Sequence, residues 1–413
     1  MSHHNFRVCV AIGLALTYVD AAATDGYFSH GYGIKAKGRG GASAAMTDDA
    51  FGGANNPAAM VWVGDRFDVG VDYFRPIRNA QRSGSTGFGA GSLDFSADSD
   101  SNNFFIPEFG FNRMVRPDTS VGVSVYGNGG LNTDYPGGQI NCGRGPNTAN
   151  ALCGSGRLGV DLIQLIVAPT LSYKINDVHS IGISPLFGYQ RFKAEGLQAF
   201  DNAPGFPPFT GSPGSVTNKG YSNSTGVGVR VGYLGRLSNF ISVGASYASK
   251  MRMSKLERYK GLFAGDGRFD IPENYSVGVA VRPNESLTFA LDYQRINYSD
   301  VASVGNQSSN RAPLGAPNGP GFGWRNIDVI KVGVEYAVSP NLTLRAGVNH
   351  GGNPVTPANI TFNILAPGVV TNHFTLGLTQ QLGSGGEWTF AYMHAPKKSV
   401  SGASLFNGLG VRK

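Results

Sequence analysis

From Arg66 onward the chain keeps a two-residue rhythm of apolar and polar positions. Phe67, Val69, Val71 and Tyr73 alternate with Asp68, Gly70 and Asp72, and Val121, Val123 and Val125 with Ser120, Gly122 and Ser124. The rhythm returns at 227–233, 275–281 and 342–348, where Gly, Ser, Thr or a charged residue fills the places between apolar ones. Period-two alternation predicts strands with one apolar face. It does not say whether that face looks into a soluble core or out into lipid. The spacing between strands does. Short breaks at 113–119, 176–179, 235–239, 282–286, 338–341 and 383–387 take turns with long ones at 76–103, 127–156, 195–223, 254–268, 300–326 and 351–371. A sandwich or propeller has no reason to sort its loops this way, whereas a transmembrane barrel with tight inner turns and large outer loops does. The expectation is an all-β, 14-stranded antiparallel barrel over residues 65–413, the even number that bacterial barrels have. Tyrosines near strand ends, among them Tyr73, Tyr126, Tyr247 and Tyr336, suit interfacial girdles.

Composition agrees. Only 15% of residues are charged, while glycine (60 residues) and aromatics (11%) are frequent; soluble domains carry about a quarter charged residues. No run approaches the ~20 apolar residues of a membrane-crossing helix. Residues 1–23 read as a secretory signal, with Arg7 ahead of a short apolar core and Ala21-Ala22-Ala23 as the cleavage site. Cys9 lies inside that core and not at the cleavage point, which argues against a lipoprotein. Residues 24–64 lack strand alternation, are rich in Gly and Ala and carry Asp48-Asp49. They are too apolar for a simple tail and read as a compact plug, or hatch, inside the lumen. In an exported chain Cys142 and Cys153 are expected to form a small disulfide, with metal binding the weaker alternative.

The net charge of +7 is diffuse: there is no Lys/Arg run, zinc-finger spacing or basic helix to suggest nucleic acid. Scattered cations suit loops and lumen, and are compatible with outer-membrane lipid, including lipopolysaccharide, as a partner. No nucleophile elbow, Walker loop or zinc-protease motif is present, so neither an enzyme nor a cofactor or metal site is expected. His179, His350, His373 and His394 stand at strand ends or loops, where solvation is the default.

The hatch segment also carries a family resemblance. Gly31-Tyr-Gly-Ile-Lys-Ala-Lys-Gly-Arg-Gly-Gly-Ala-Ser-Ala-Ala, then Asp48-Asp49-Ala50, then Asn55-Asn56-Pro57-Ala58-Ala59-Met60, resembles the N-terminal hatch of the FadL family. That family comprises fatty-acid channels and TodX-like aromatic-hydrocarbon channels. Ile271-Pro-Glu-Asn-Tyr-Ser-Val-Gly-Val, Asn341-Leu-Thr-Leu-Arg-Ala-Gly and Thr375-Leu-Gly-Leu-Thr extend the likeness along nearly the whole mature chain. The resemblance implies a lumen closed by the hatch, ligand capture among outer loops, an interior pocket, and sideways release at a kink in the third strand. It assigns Asn56, Pro57 and Ala58 to a hatch motif associated with that kink. Two features depart from the pattern: the sequence ends Gly410-Val411-Arg412-Lys413 without an aromatic residue, and the closing strand expected near 401–411 is weakly patterned.

Strand parity points Arg230, Lys331 and Arg345 into the lumen, along with Asp72, Asp292 and Glu335. A fatty-acid carboxylate in a dry pocket needs a cationic partner; alternatively these cations pair with Glu335 and the hatch acids. The third strand is expected to end in Gly127-Asn128-Gly129-Gly130, where Gly127, Gly129 and Gly130 would form the lateral gate or simply begin a loop. Phe200, Phe206 and Phe209 in one long loop, and Leu256, Tyr259, Leu262 and Phe263 in the next, match the family's capture loops or pack locally. The expected function is a monomeric passive channel for a hydrophobic small molecule, a long-chain fatty acid first and an aromatic hydrocarbon second. A non-selective porin and an outer-membrane enzyme are weaker alternatives.

Overall fold

The computed structural model describes residues 24–46, 48–85, 92–143, 148–202, 208–383 and 385–407; the expected signal segment lies outside them. Beyond the hatch the chain is built from antiparallel strands: β1 (Arg66–Phe74), β2 (Asn79–Arg82), β3 (Phe95–Asp98), β4 (Phe104–Arg116), β5 (Thr119–Tyr135), β6 (Leu158–Lys174), β7 (His179–Glu195) and β8 (Ser222–Gly235). Then follow β9 (Ile241–Ala248), β10 (Arg252–Met253), β11 (Asn274–Asn284), β12 (Leu287–Ile296), β13 (Ile327–Ser339), β14 (Leu342–Gly351), β15 (Asn372–Gln381) and β16 (Glu387–His394).

One sheet holds fourteen of them: a path β1-β4-β5-β6-β7-β8-β9-β11-β12-β13-β14-β15-β16, plus the two-residue β10 on β8. β2 and β3 form a separate hairpin in the first outer loop. The fourteenth member is therefore β10 and not the closing strand expected near 401–411. Part of that stretch lies outside the described residues, and its described part forms no strand. Instead, Leu405 N–H donates to Thr361 Oγ1 (2.9 Å) and Phe406 lies under Arg82, both against outer loops. Among the described residues β1 and β16 are not paired; Arg66 of β1 reaches Glu387 of β16 in an ion pair instead.

Burial along the strands inverts the globular pattern. Phe67, Val69, Val71 and Tyr73 on β1 are 57–70% exposed, while Ser120, Ser124, Gln164, Ser172, Ser184 and Gln190 are fully buried. Apolar area held in water is unfavourable by about 25 cal/mol per Å2, so a continuous outward apolar band requires lipid around it. Tyr126 departs from the girdle expectation: its even parity turns it inward, and it is 1% exposed.

The hatch packs against the inward face of the sheet. Its helix α1 (Ile34–Gly38) touches β14, β15 and β16, and a 3-10 turn at Pro57–Trp62 lies on β6, β7 and β8. Asn56 caps that turn by accepting from Ala58 N–H, and Pro57 pre-sets its first residue.

Candidate ligand path and hatch

Three hatch cations, spaced two apart, bolt the plug to the wall. Lys35 Nζ meets Glu387 of β16 at 2.6 Å, and Lys37 Nζ meets Asp72 of β1 at 2.5 Å and Glu108 of β4 at 2.7 Å. Arg39, 1% exposed, holds Asp48 at 2.5 Å and Glu335 of β13 at 3.3 Å. Burial alone would push the Lys37 ammonium down, but Asp72 and Glu108 more than offset it, so its pKa lies above the usual lysine value. Asp49 has the opposite fate. Burial first, then the neighbouring Asp48 and Asp68, push its carboxyl up to about 7. A cavity of about 10 Å3 among Arg39, Asp48, Asp49 and Asn56 has room for one water. The sequence reading gave the hatch acids to the wall cations and missed these three bolts. Their alternation in a Gly/Ala segment, opposite inward Asp72 and Glu335, was the available signal.

The three cations expected to greet a carboxylate separate here. Arg345 Nε donates to Glu335 Oε2 (2.7 Å) and its Nη1 to Thr379 Oγ1 (2.6 Å). Lys331 Nζ donates to the His30 carbonyl (3.0 Å) and stands 3.9 Å from Asp25. These two sit on neighbouring strands as expected, but they are committed to wall and hatch. Arg230 differs. It is 5% exposed, and among the described residues its one direct hydrogen bond runs to the Gly53 carbonyl at 3.4 Å and its Nε has no partner. Among the described residues no carboxylate pairs with it. Its charge reaches Tyr32, whose ring packs on Tyr126 at 4.6 Å.

His373 corrects another expectation. It is fully buried, stacked on His30 of the hatch at 5.9 Å, with Nδ1 3.1 Å from Asn349 Oδ1. The Nε2 atoms of both rings are buried without a partner. A buried site, the His373 ring and the charges of Lys37 and Lys331 hold the His30 imidazole well below its ordinary pKa.

At the expected gate the strand does not end. β5 continues to Tyr135 alongside β6 through a bulge between Gly127 and Gly129. On its other side the last β4 partner is Phe109, opposite Val125, although β4 itself runs on to Phe104 beside β1. The wall is therefore unpaired between residues 104–108 of β4 and 126–135 of β5. Hatch backbone covers part of this seam: Ser29 N–H donates to the Asn128 carbonyl (3.2 Å) and Gly130 N–H to the Tyr27 carbonyl (3.3 Å). A Cβ at Gly129 would stand 1.7 Å from that Tyr27 oxygen, so only glycine admits this approach. The Tyr298 hydroxyl fixes the same hatch segment, accepting from Tyr27 N–H (3.1 Å) and donating to the Asp25 carbonyl (2.5 Å). The hatch motif Asn56-Pro57-Ala58 lies elsewhere. Asn56 Nδ2 donates to the Tyr233 carbonyl of β8 (2.9 Å), and a Cβ at Gly232 would meet its Oδ1 at 2.1 Å, so the motif serves the β6–β8 wall and not the bulge.

The capture-loop residues pack on one another. Leu256, Tyr259, Phe263 and Phe200 are buried, with Phe209 and Leu262 half-buried against them; Phe206 lies outside the described residues. Phe200 meets Phe209 at 5.4 Å and Phe263 meets Phe269 at 5.0 Å. This layer continues inward to a ring cluster of Phe269, Tyr27, Tyr298 and Trp324. The loop above β5 is closed by a bond between Cys142 and Cys153.

A lipid-facing sheet of fourteen strands, with a charged plug in its lumen and an apolar cap of long loops, defines an outer-membrane transport barrel of the hatch-closed class. Residues 21–404 match the family model described as outer membrane protein transport protein (OMPP1/FadL/TodX), and the chain belongs to that family. The structure is similar to that of a Pseudomonas aeruginosa FadL homologue, with 18% identity, 89% of this chain and 90% of that one covered, and a TM-score of 0.65. It is also similar to the Ralstonia pickettii toluene transporter TbuX (19%, 90% and 94%, 0.63) and to the P. putida toluene transporter TodX (19%, 88% and 91%, 0.62). At such identities the likeness shows the fold. No curated protein matches the sequence.

Proposed function

We propose that this outer-membrane transport protein is a passive channel for long-chain fatty acids and kindred hydrophobic compounds, which leave sideways through the seam between β4 and β5. The observation that carries the reading is the edge of β5 beyond Val125, bonded to β6 on one side and covered by hatch backbone on the other. Unpaired edge groups inside a bilayer are unfavourable unless something satisfies them, so a segment that covers this edge and can be withdrawn makes a door in the wall. The ligand is caught in the apolar loop layer and descends past the ring cluster. Its carboxylate then meets Arg230, whose buried guanidinium lacks the anionic partner such a group needs. Lys331 and Arg345 serve the hatch and the wall.

A second reading, a neutral aromatic hydrocarbon, is favoured by the rings around Tyr27: Phe28 at 5.3 Å, Tyr298 at 5.1 Å and Trp324 at 5.8 Å. Uptake of labelled oleate and labelled toluene into proteoliposomes separates the two. On the fatty-acid reading Arg230→Gln raises the Kd for oleate at least tenfold, as expected for losing a buried charge-assisted contact worth ~1.5–3 kcal/mol, and leaves toluene alone. Saturable toluene uptake, with oleate indifferent to Arg230, would move the protein to the hydrocarbon branch.

A further inference from the structure

Two cations at the outer ends of the strands are neutralised by carboxylates. Arg295 near the end of β12 is tied to Asp328 at 2.8 Å, and Arg157 before β6 is tied to Asp134 at 2.6 Å and also to Asp100. The rim over β7 and β8 is different. Arg191 has the parity of Ile181, Ile183, Phe187 and Tyr189, which face outward, and its guanidinium lies 4.6 Å over the ring of Tyr221. Lys219 is exposed two residues from that ring, and Arg258 donates to the Lys219 carbonyl at 2.9 Å. Among the described residues none of Arg191, Lys219 and Arg258 pairs with a carboxylate. Lys193 also lies over the ring but is shared with Glu195 at 3.1 Å, and of the two acids near the ring Asp161 accepts from the Tyr221 hydroxyl.

The site is anchored as well as charged. The Tyr259 hydroxyl donates to the Gly220 carbonyl at 2.7 Å and so fixes the backbone between Lys219 and Tyr221. Directly below, towards the middle of the wall, the same face presents Ile163, Phe187, Tyr189 and Val227, which are 39–62% exposed. A short greasy track thus leads up to three unpaired cations and an aromatic ring.

We infer that Arg191, Lys219 and Arg258, gathered around Tyr221, form a binding site for the phosphate of an outer-leaflet glycolipid whose acyl chain lies along Ile163, Phe187 and Val227. Two independent features match that one ligand: unpaired guanidinium and ammonium groups for a phosphate, and an adjoining apolar strip for a chain. A soluble anion would use the first and have no need of the second. The inference rests on the outer-membrane placement of the barrel and is independent of which compound the lumen carries.

The test uses the full protein in detergent micelles, titrated with diphosphorylated lipid A, with dephosphorylated lipid A and with inorganic phosphate, and read by native mass spectrometry. Diphosphorylated lipid A binds the wild type best, and the triple variant Arg191→Gln/Lys219→Gln/Arg258→Gln weakens it roughly 100-fold, at about fivefold for each cation near an anionic surface. Arg295→Gln, which removes a cation already paired with Asp328, leaves binding unchanged and serves as the folding-matched control. Equal binding of the dephosphorylated lipid, a triple variant that binds like the wild type, or inorganic phosphate that binds as tightly as the lipid would each overturn the site.

Discussion

At the scale of single residues, the hatch is held by charges that would be unfavourable anywhere else in a barrel lumen. Lys37 illustrates the arithmetic. It is 7% exposed and answers two carboxylates, Asp72 and Glu108. A buried pair adds little net stability compared with apolar residues, but removing one partner strands the other at a cost of about 3–5 kcal/mol. Lys37→Met therefore loosens the hatch far more than its lost side-chain contacts suggest. In planar bilayers the variant should show raised ion conductance against a silent wild type; an equally silent variant would mean that the plug is held by packing alone. Parity made the inward direction of Asp72, Glu335, Lys331 and Arg345 legible in the sequence. Their partners were not legible, because a pairing between Arg39 and Glu335 spans most of the chain and leaves no local pattern.

The elements show where local reading works and where tertiary packing overrides it. Strands and short turns follow from alternation and turn residues, since each outward side chain is decided by its own neighbours. The bulge in β5 follows less directly: glycines permit it, but its place depends on where β4 stops pairing. Likewise His373 looks solvated in the sequence and is buried against His30 only once the hatch enters the lumen. That pair makes the hatch segment sensitive to acid. The His30 imidazole is held neutral, below its ordinary pKa of 6.5, by burial and by facing His373, Lys37 of the hatch itself and Lys331 of β13. Above pH 6.5 neither the docked nor the released segment takes a proton at this ring, so the ring's own contribution to docking is at full strength. Below it the released segment is protonated first at this ring, so the ring's contribution to docking weakens as pH falls, while Asp49, held up to about 7 in the docked hatch, contributes in the opposite sense. As pH falls below 6.5, conductance of the wild type should accordingly rise relative to that of His30→Gln, which lacks this ring and keeps Asp49. A rise of the same size in the variant would assign the acid response to other groups.

Over the whole molecule, the division of labour is between a wall that must satisfy every backbone group in lipid and a plug that satisfies the exception. The closing of that wall was the least legible part: the weak pattern near 401–411 was visible in the sequence, but that residues 405 and 406 go to outer loops was not. The apolar side chains of these long loops were visible in the sequence, whereas their collapse into one another was not, because burial between distant loops has no sequence period. The proposed exit is the seam between β4 and β5. Deleting Asn128 tests it most directly. The deletion removes the bulge while keeping register with β6, since Gly127 already pairs with Leu165 and Gly129 with Gln164, so β5 can straighten towards β4. Delivery of labelled oleate from the outer face into proteoliposome membrane should fall at least tenfold in a barrel that still folds and inserts, if ligand leaves through this seam; delivery at the wild-type rate would contradict a sideways exit here.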